Sequence, residues 1–132
     1  MNNSDAIKLS FPVNPAYVSS ARLTVSSITN RISFDIDEIE DIKTAVSEAC
    51  IFIIKRSAAH SGSNFEIIFR PGDGAISVEI TSNDFLDSNW NDAQEMSLMM
   101  IRALVDEFSI TKPTKDSILI TMTKKHKATT FD

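Results

Sequence analysis

The side chains of this sequence that could do chemistry are few, and most lack the companions that chemistry needs. Cys50 is the single cysteine, so no internal disulfide can form. The two histidines, His60 and His126, lie far from it and from each other, without the short spacings that assemble a zinc site. Glycine is scarce, with three residues, Gly62, Gly72 and Gly74. All three sit in turn contexts, Ser61-Gly62-Ser63 and Pro71-Gly72-Asp73-Gly74, so neither a Walker loop nor a dinucleotide fingerprint can be built. Binding chemistry has a better candidate. Arg22 lies beside the outward Leu23 and shares a helical face with Ser19 and Ser26, and an arginine next to an exposed leucine is a common interface anchor.

The elements that must carry these residues follow from periodicity. Ile7 to Phe11 alternates apolar and polar residues as a strand does, and Asn14-Pro15 then supplies a helix cap followed by proline at the first helical position. From Tyr17 to Ile32 apolar residues recur at three- and four-residue steps, giving one buried stripe. Ser33-Phe34 is the connection. Asp35 with Glu38 forms a capping pair for a second helix, whose stripe is Ile36, Ile39, Ile42, Val46, Ala49, Cys50 and Ile53 and which ends near Ala58. Cys50 on that stripe reads as a small core residue with no redox role. Strands at 65–69 and 75–80 flank the glycine turn as a hairpin. After a polar loop from Thr81 to Asp92, a third helix is expected over 93–108, with Ile101, Leu104, Val105 and Phe108 on one face. Strands at 109–111 and 118–123 around a turn at 112–116 close the pattern, followed by Lys124, Lys125 and Lys127, read as solubilising tail charges. Helices packed on one face of a mainly antiparallel sheet, an α+β two-layer sandwich, satisfy this order. The expected division is a disordered tail over 1–5, one domain over 6–124 and a flexible basic tail over 125–132.

Composition agrees with one compact domain: 132 residues, 42% hydrophobic and 23% charged, long enough to bury a core without disulfides or a structural metal. With 18 acidic against 13 basic residues the net charge is −5, so no broad positive field is available for a nucleic-acid backbone. The longest apolar run, Ala49 to Ile54, is far short of the roughly 18 residues that a membrane span requires, and the expected location is cytoplasmic.

The stretch Ile39-Glu40-Asp41-Ile42-Lys43-Thr44-Ala45-Val46-Ser47-Glu48-Ala49-Cys50 resembles the bacterial anti-sigma factors of the RsbW and SpoIIAB type. Phe11 to Val18 with Ala21 to Val25, and Leu104 to Glu107, are similar to the family's first strand and helix and its last helix, so the resemblance covers roughly residues 7 to 124. It implies a GHKL ATPase fold, related to histidine kinases and gyrase. It further implies a homodimeric serine kinase that sequesters a sigma factor, releases it on binding an anti-anti-sigma (STAS-type) partner, and phosphorylates that partner with Mg-ATP. The arginine matching Arg22 resembles a contact shared by both partners. Neither nucleic acid nor membrane is implied.

Against that pattern the nucleotide motifs depart. Glu48 stands at the general-base position, but Ile51 and Phe52 follow where the family has threonine and asparagine, and a phenyl ring offers a magnesium ion no oxygen. The adenine-reading box falls at Ser82, Asn83 and Asp84, without glycine. The family's glycine-leucine-glycine stretch, which opens the last helix and meets the phosphates, aligns with Glu95, Met96 and Ser97, and the final hairpin's glycine with Ser117. Without magnesium or a phosphate loop Glu48 becomes an ordinary helical glutamate, a solvated face or a partner of Lys43 or Lys55. Phe52 wants apolar cover on the outer face of the second helix, and a line of Met96, Met99 and Ala103 on the third helix is expected to close over it in place of a nucleotide. The resulting expectation is a regulator acting by protein contact, with no catalytic residues and no cofactor. Its rivals are an active kinase that uses ATP and magnesium, and a dimerisation or small-ligand module built on the old pocket.

Overall fold

The computed structural model describes residues 5–57, 63–85 and 91–127. Strand β1 (Ile7–Pro12) leads into a single 3-10 turn, Pro15–Tyr17, then α1 (Val18–Thr29) and α2 (Ile36–Arg56). The hairpin of β2 (Asn64–Gly72) and β3 (Ala75–Ser82) follows, then α3 (Asp92–Leu104), β4 (Glu107–Thr111) and β5 (Ile118–Lys125). All pairings are antiparallel, in the order β1-β2-β3-β5-β4. The α+β architecture expected from sequence is the one found.

Period-two alternation explains the sheet. Register places Leu9, Ile67, Ile80, Ile120 and Ile110 in one row across all five strands, and Ile7, Phe69, Val78, Met122 and Phe108 in a second. These rows face the helices, where Ala21 and Val25 of α1, Ile42, Val46 and Ile53 of α2, and Leu98 and Ile101 of α3 close the core. Gly74 turns the β2–β3 hairpin at φ +67, a conformation open to it because it has no Cβ.

Local capping sets the helix starts. Asn14 Oδ1 accepts from the Ala16 N–H, and Asp35 and Glu38 form the expected reciprocal box at α2. Three boundaries differ from the periodic reading. Helix α1 stops at Thr29, where Arg31 and Ile32 turn back on Ile28 and Thr29, and α2 stops at Arg56, its cap Ser57 extended. Ala58 lies outside the described residues. Helix α3 ends at Leu104, because Val105 goes extended and Asp106 N–H pairs with Thr123 O. Phe108 is therefore a strand residue opposite Met122, since its spacing from Leu104 suits a helix while its alternation with Ile110 suits a sheet face.

Lys124, Lys125, His126 and Lys127 each make contacts with the fold. Strand β5 runs to Lys125. Lys124 Nζ donates to Leu104 O at 2.8 Å and to Asp41 Oδ2 at 3.1 Å, so it caps the carbonyl end of α3 and ties it to α2. Lys125 pairs with Glu107 at 2.8 Å. Beyond the strand, His126 Nδ1 meets Glu38 Oε1 at 2.7 Å, the Lys127 N–H donates to Glu38 Oε2 at 2.8 Å, and the His126 ring stacks on Phe34. Glu38 thus caps α2 and anchors the end of β5 with one buried carboxylate.

Burial alone would push the Glu38 carboxyl up. Hydrogen bonds from the Asp35 N–H, His126 and the Lys127 N–H outweigh it, with the His126 charge adding to them, and hold it below its ordinary value near 4.5. A carboxyl lowered on folding stabilises fully above its unfolded value, and that stabilisation is lost as pH falls through the folded one. Glu38→Gln is expected to lower the melting temperature at pH 7, with the gap to the parent narrowing progressively below about pH 4.5. A gap that is constant with pH would contradict this role for the carboxylate.

Candidate functional site

Phe52 lies on the last turns of α2, four residues after Glu48 and on the same side of the helix. It is 2% exposed, and its cover is Phe85, 1% exposed, whose ring centroid is 5.8 Å away and tilted by 31°. Phe85 follows β3 and is pinned on two sides. Its N–H donates to Asp116 O at 2.8 Å, and it makes an isolated antiparallel bridge with Ser57 at the end of α2. Lys112 Nζ stands 5.3 Å from the Phe85 ring centroid, a cation over an aromatic face. Ser117, 6% exposed, accepts from Thr114 N–H and from Thr114 Oγ1–H, both at 2.8 Å, and so closes the β4–β5 turn that carries Asp116.

Three of the positions expected from sequence to be altered motif residues are buried: Phe52, Ser117, which holds the turn beside Phe85, and Ser82, which is 2% exposed and accepts from Asp84 N–H at 3.4 Å. Asn83 is exposed and Asp84 half-buried. Glu95 and Ser97 lie on the first turns of α3, exposed and half-buried, and the Ser97 hydroxyl donates back to Ala93 O. At the start of α3, Asn91 Oδ1 accepts the Gln94 N–H and Gln94 Oε1 accepts the Asn91 N–H, so the helix closes its own leading amides. Glu48 is half-buried, and Lys43, one of its two expected partners, pairs instead with Glu40 at 3.0 Å.

The expected methionine cover is not formed. Met96 and Met99 are 68% and 61% exposed and Ala103 is exposed too, because Leu98 and Ile101 take the buried side of α3 and turn the methionine side to solvent. Sequence reasoning missed Phe85, whose signal was a lone aromatic residue in a run of Ser, Asn and Asp. It also missed Lys112, which reads as a turn residue until the fold brings it to the ring. Cys50 sits in the core, and burial pushes its thiol up to about 12, which leaves it unreactive near neutrality. His60 and Gly62 lie outside the described residues. Among the described residues no cluster of His, Cys, Asp and Glu could hold a metal ion, and no helix is long and apolar enough to cross a membrane.

The second candidate surface is the outer side of α1. Ser19, Arg22 and Leu23 are exposed, Leu23 by 66%, and Ser26 lines a cleft of about 200 Å³ with Asn30, Ile36, Ile39, Glu40 and Lys43. Ile36 is 78% exposed at the first turn of α2 and does not join the buried stripe, since it points away from the sheet. The four residues expected to bind a partner thus fall on one continuous surface, extended by an apolar side chain across the cleft.

Comparison with known proteins adds three findings. Residues 11–124 match the family described as the histidine kinase-like ATPase domain. Over 97 residues, 74% of this chain and 60% of the relative, the sequence is 37% identical to the serine-protein kinase RsbW of Bacillus subtilis, and over 113 residues, 86% of this chain and 65% of the relative, it is 27% identical to that of Bacillus cereus. The chain thus spans 60% and 65% of the lengths of these curated relatives. Among solved structures, that of the RsbU and RsbW domains of a Mycobacterium tuberculosis protein overlays with a TM-score of 0.73 at 18% identity, covering 92% of this chain and 32% of that one, a likeness of fold.

Phe52→Ala is expected to cost about 3–5 kcal/mol in urea unfolding, as for other buried phenylalanines. Phe52→Asn should be at least as costly, because it buries an amide against Phe85, while Phe52→Leu should cost less. A Phe52→Asn variant as stable as the parent would mean that this region is open to water.

Proposed function

The chain belongs to the histidine kinase-like ATPase domain family, in its RsbW and SpoIIAB branch, and from that premise we propose that it is an anti-sigma-factor-like regulator that works by protein contact without nucleotide. The family scaffold uses ATP and magnesium, so the reading turns on whether the residues present suit those groups.

The observation that carries it is the Phe52–Phe85 contact. A magnesium ion needs oxygen ligands, and the ring at the position of the family's asparagine offers none while filling the space with carbon. Charge points the same way. Asp92 and Glu95 in the first turn of α3 place two carboxylates where a helix N-terminus would otherwise attract phosphate, and the Asn91–Gln94 box engages amides that would have met it. The residues present do not fit Mg-nucleotide, which supports a regulator that transfers no phosphoryl group. What the fold offers a partner is the α1 surface. Arg22 presents a planar guanidinium fork beside the exposed Leu23, suited to a carboxylate next to an apolar side chain on a sigma factor or anti-anti-sigma protein.

A second reading, an active serine kinase, draws on Glu48, which stands at the family's general-base position and is open to solvent on one side.

The test is to free the purified protein of nucleotide and titrate it with the sigma factors and anti-anti-sigma proteins of its source. Binding without nucleotide is expected, weakened about tenfold or more by Arg22→Ala, as for an interface anchor. Failure to bind any of them, or binding only with Mg-ATP, would refute the proposal. Labelled phosphate transferred to a partner serine, and lost in Glu48→Gln, would put the kinase reading first.

A further inference from the structure

Among the described residues, half of the large apolar side chains left open to water are methionines on one helix. Tyr17, Leu23 and Ile36 are the others, while Met96, Met99 and Met100 stand close together on α3, 68%, 61% and 48% exposed. With the exposed Ala103 they recur at helical steps and share a face, and Leu98 and Ile101 hold the buried one. Helix α3 is thus sorted by chemistry as well as by polarity, with branched aliphatic side chains inside and thioethers outside. Helix propensity does not require this, since Lys, Glu or Gln would extend the helix as well and suit water better. What methionine alone of these residues brings is a sulfur that can be oxidised.

We propose that Met96, Met99 and Met100 form an oxidation site, at which a peroxide reversibly converts an exposed apolar helix face into a polar one while the fold stays intact.

The reaction is an oxygen-atom transfer. A thioether lone pair attacks one peroxide oxygen, the S–O bond forms as the O–O bond breaks, and the proton of the transferred hydroxyl passes to the departing hydroxide, which leaves as water. Sulfur is oxidised by two electrons and the peroxide reduced by two. Sulfoxide reductases return the thioether, the oxygen leaving as water while two thiols become a disulfide. Access decides which sulfur reacts. Met122, the other methionine among the described residues, is 0% exposed on β5, and Cys50 is 0% exposed in α2, where burial keeps its thiol protonated. The sulfurs whose oxidation would place oxygen in the core are therefore shielded. Those open to an oxidant lie on a face that makes no core contact through them, so sulfoxide there changes the surface and spares the packing of Leu98 and Ile101. The site is on a different helix from Arg22 and Leu23 and does not rest on the partner reading.

Site-resolved mass spectrometry of the folded full chain after exposure to dilute hydrogen peroxide tests it. Met96, Met99 and Met100 are each expected to gain one oxygen, at least about tenfold faster than Met122, which reacts only when the sheet opens, and Cys50 should stay unmodified. The circular dichroism should be unchanged. Retention on a hydrophobic-interaction column should fall on oxidation and recover when sulfoxide reductases of both stereochemical classes act with dithiothreitol. A variant carrying Met96→Leu, Met99→Leu and Met100→Leu, which keeps size and helix propensity, should hold its retention through the same treatment. Oxidation of Met122 or Cys50 as fast as the α3 methionines, loss of the folded signal on oxidation, a retention that the reductases do not restore, or an equal shift in the triple variant would each overturn the proposal.

Discussion

Helix α2 is apolar on two sides, and the rest of the molecule is arranged around the need to cover both. Ile42, Val46, Ala49 and Ile53 lie on the sheet, and Phe52 points elsewhere, yet all five are 2% exposed or less. In a chain that kept a nucleotide on that second side, the ligand itself could supply part of the cover. Here Phe85 does, and its position follows from what holds it: the Ser57 bridge at the helix end, the Asp116 carbonyl, and the turn closed by Ser117. A change from asparagine to phenylalanine at a single position would leave a large ring needing cover, so Phe52, Phe85 and the shape of the β4–β5 turn form one packing solution.

The same helix is tied down at its other end by polar contacts. Glu38 serves the α2 cap and the end of β5 together, and Lys124 joins the last carbonyls of α3 to Asp41 of α2. The Glu38 bonds to His126 and Lys127 and the Lys124–Asp41 pair link segments more than eighty residues apart in sequence, so they fix how the helix and sheet layers meet. What remains outside is chemically simple: the Arg22 and Leu23 surface on α1 and the methionine stripe on α3. Both are exposed, and the first sets a charged side chain beside apolar ones at the edge of a cleft.

Features that depend on near neighbours were legible in the sequence. The Asp35 and Glu38 capping box, the Gly74 hairpin and the alternation of β2 and β3 follow from residues within a few positions of each other. The long motif through Glu48 was enough to place the family. Two kinds of feature were not legible. Leu104 and Phe108 satisfy helix and strand periods equally, so the end of α3 is decided by the Asp106–Thr123 bond rather than by pattern. The cover of Phe52 was assigned to methionines at helical spacing, but spacing says which residues share a face and not which face turns inward. That was settled by Leu98 and Ile101 packing into the core. His126 and Lys124 read as isolated or solvated charges because their partners lie 88 and 83 residues away.

In the proposed function side chains, not a nucleotide, fill the space between α2, the end of β3 and the β4–β5 turn. Isothermal titration of the chain with ATP and with ADP, each with and without magnesium, tests it most directly. The account predicts no detectable heat and no rise in melting temperature. Magnesium-dependent binding in the micromolar range, with the stabilisation of about 2.7 kcal/mol expected at a hundredfold excess over Kd, would contradict it.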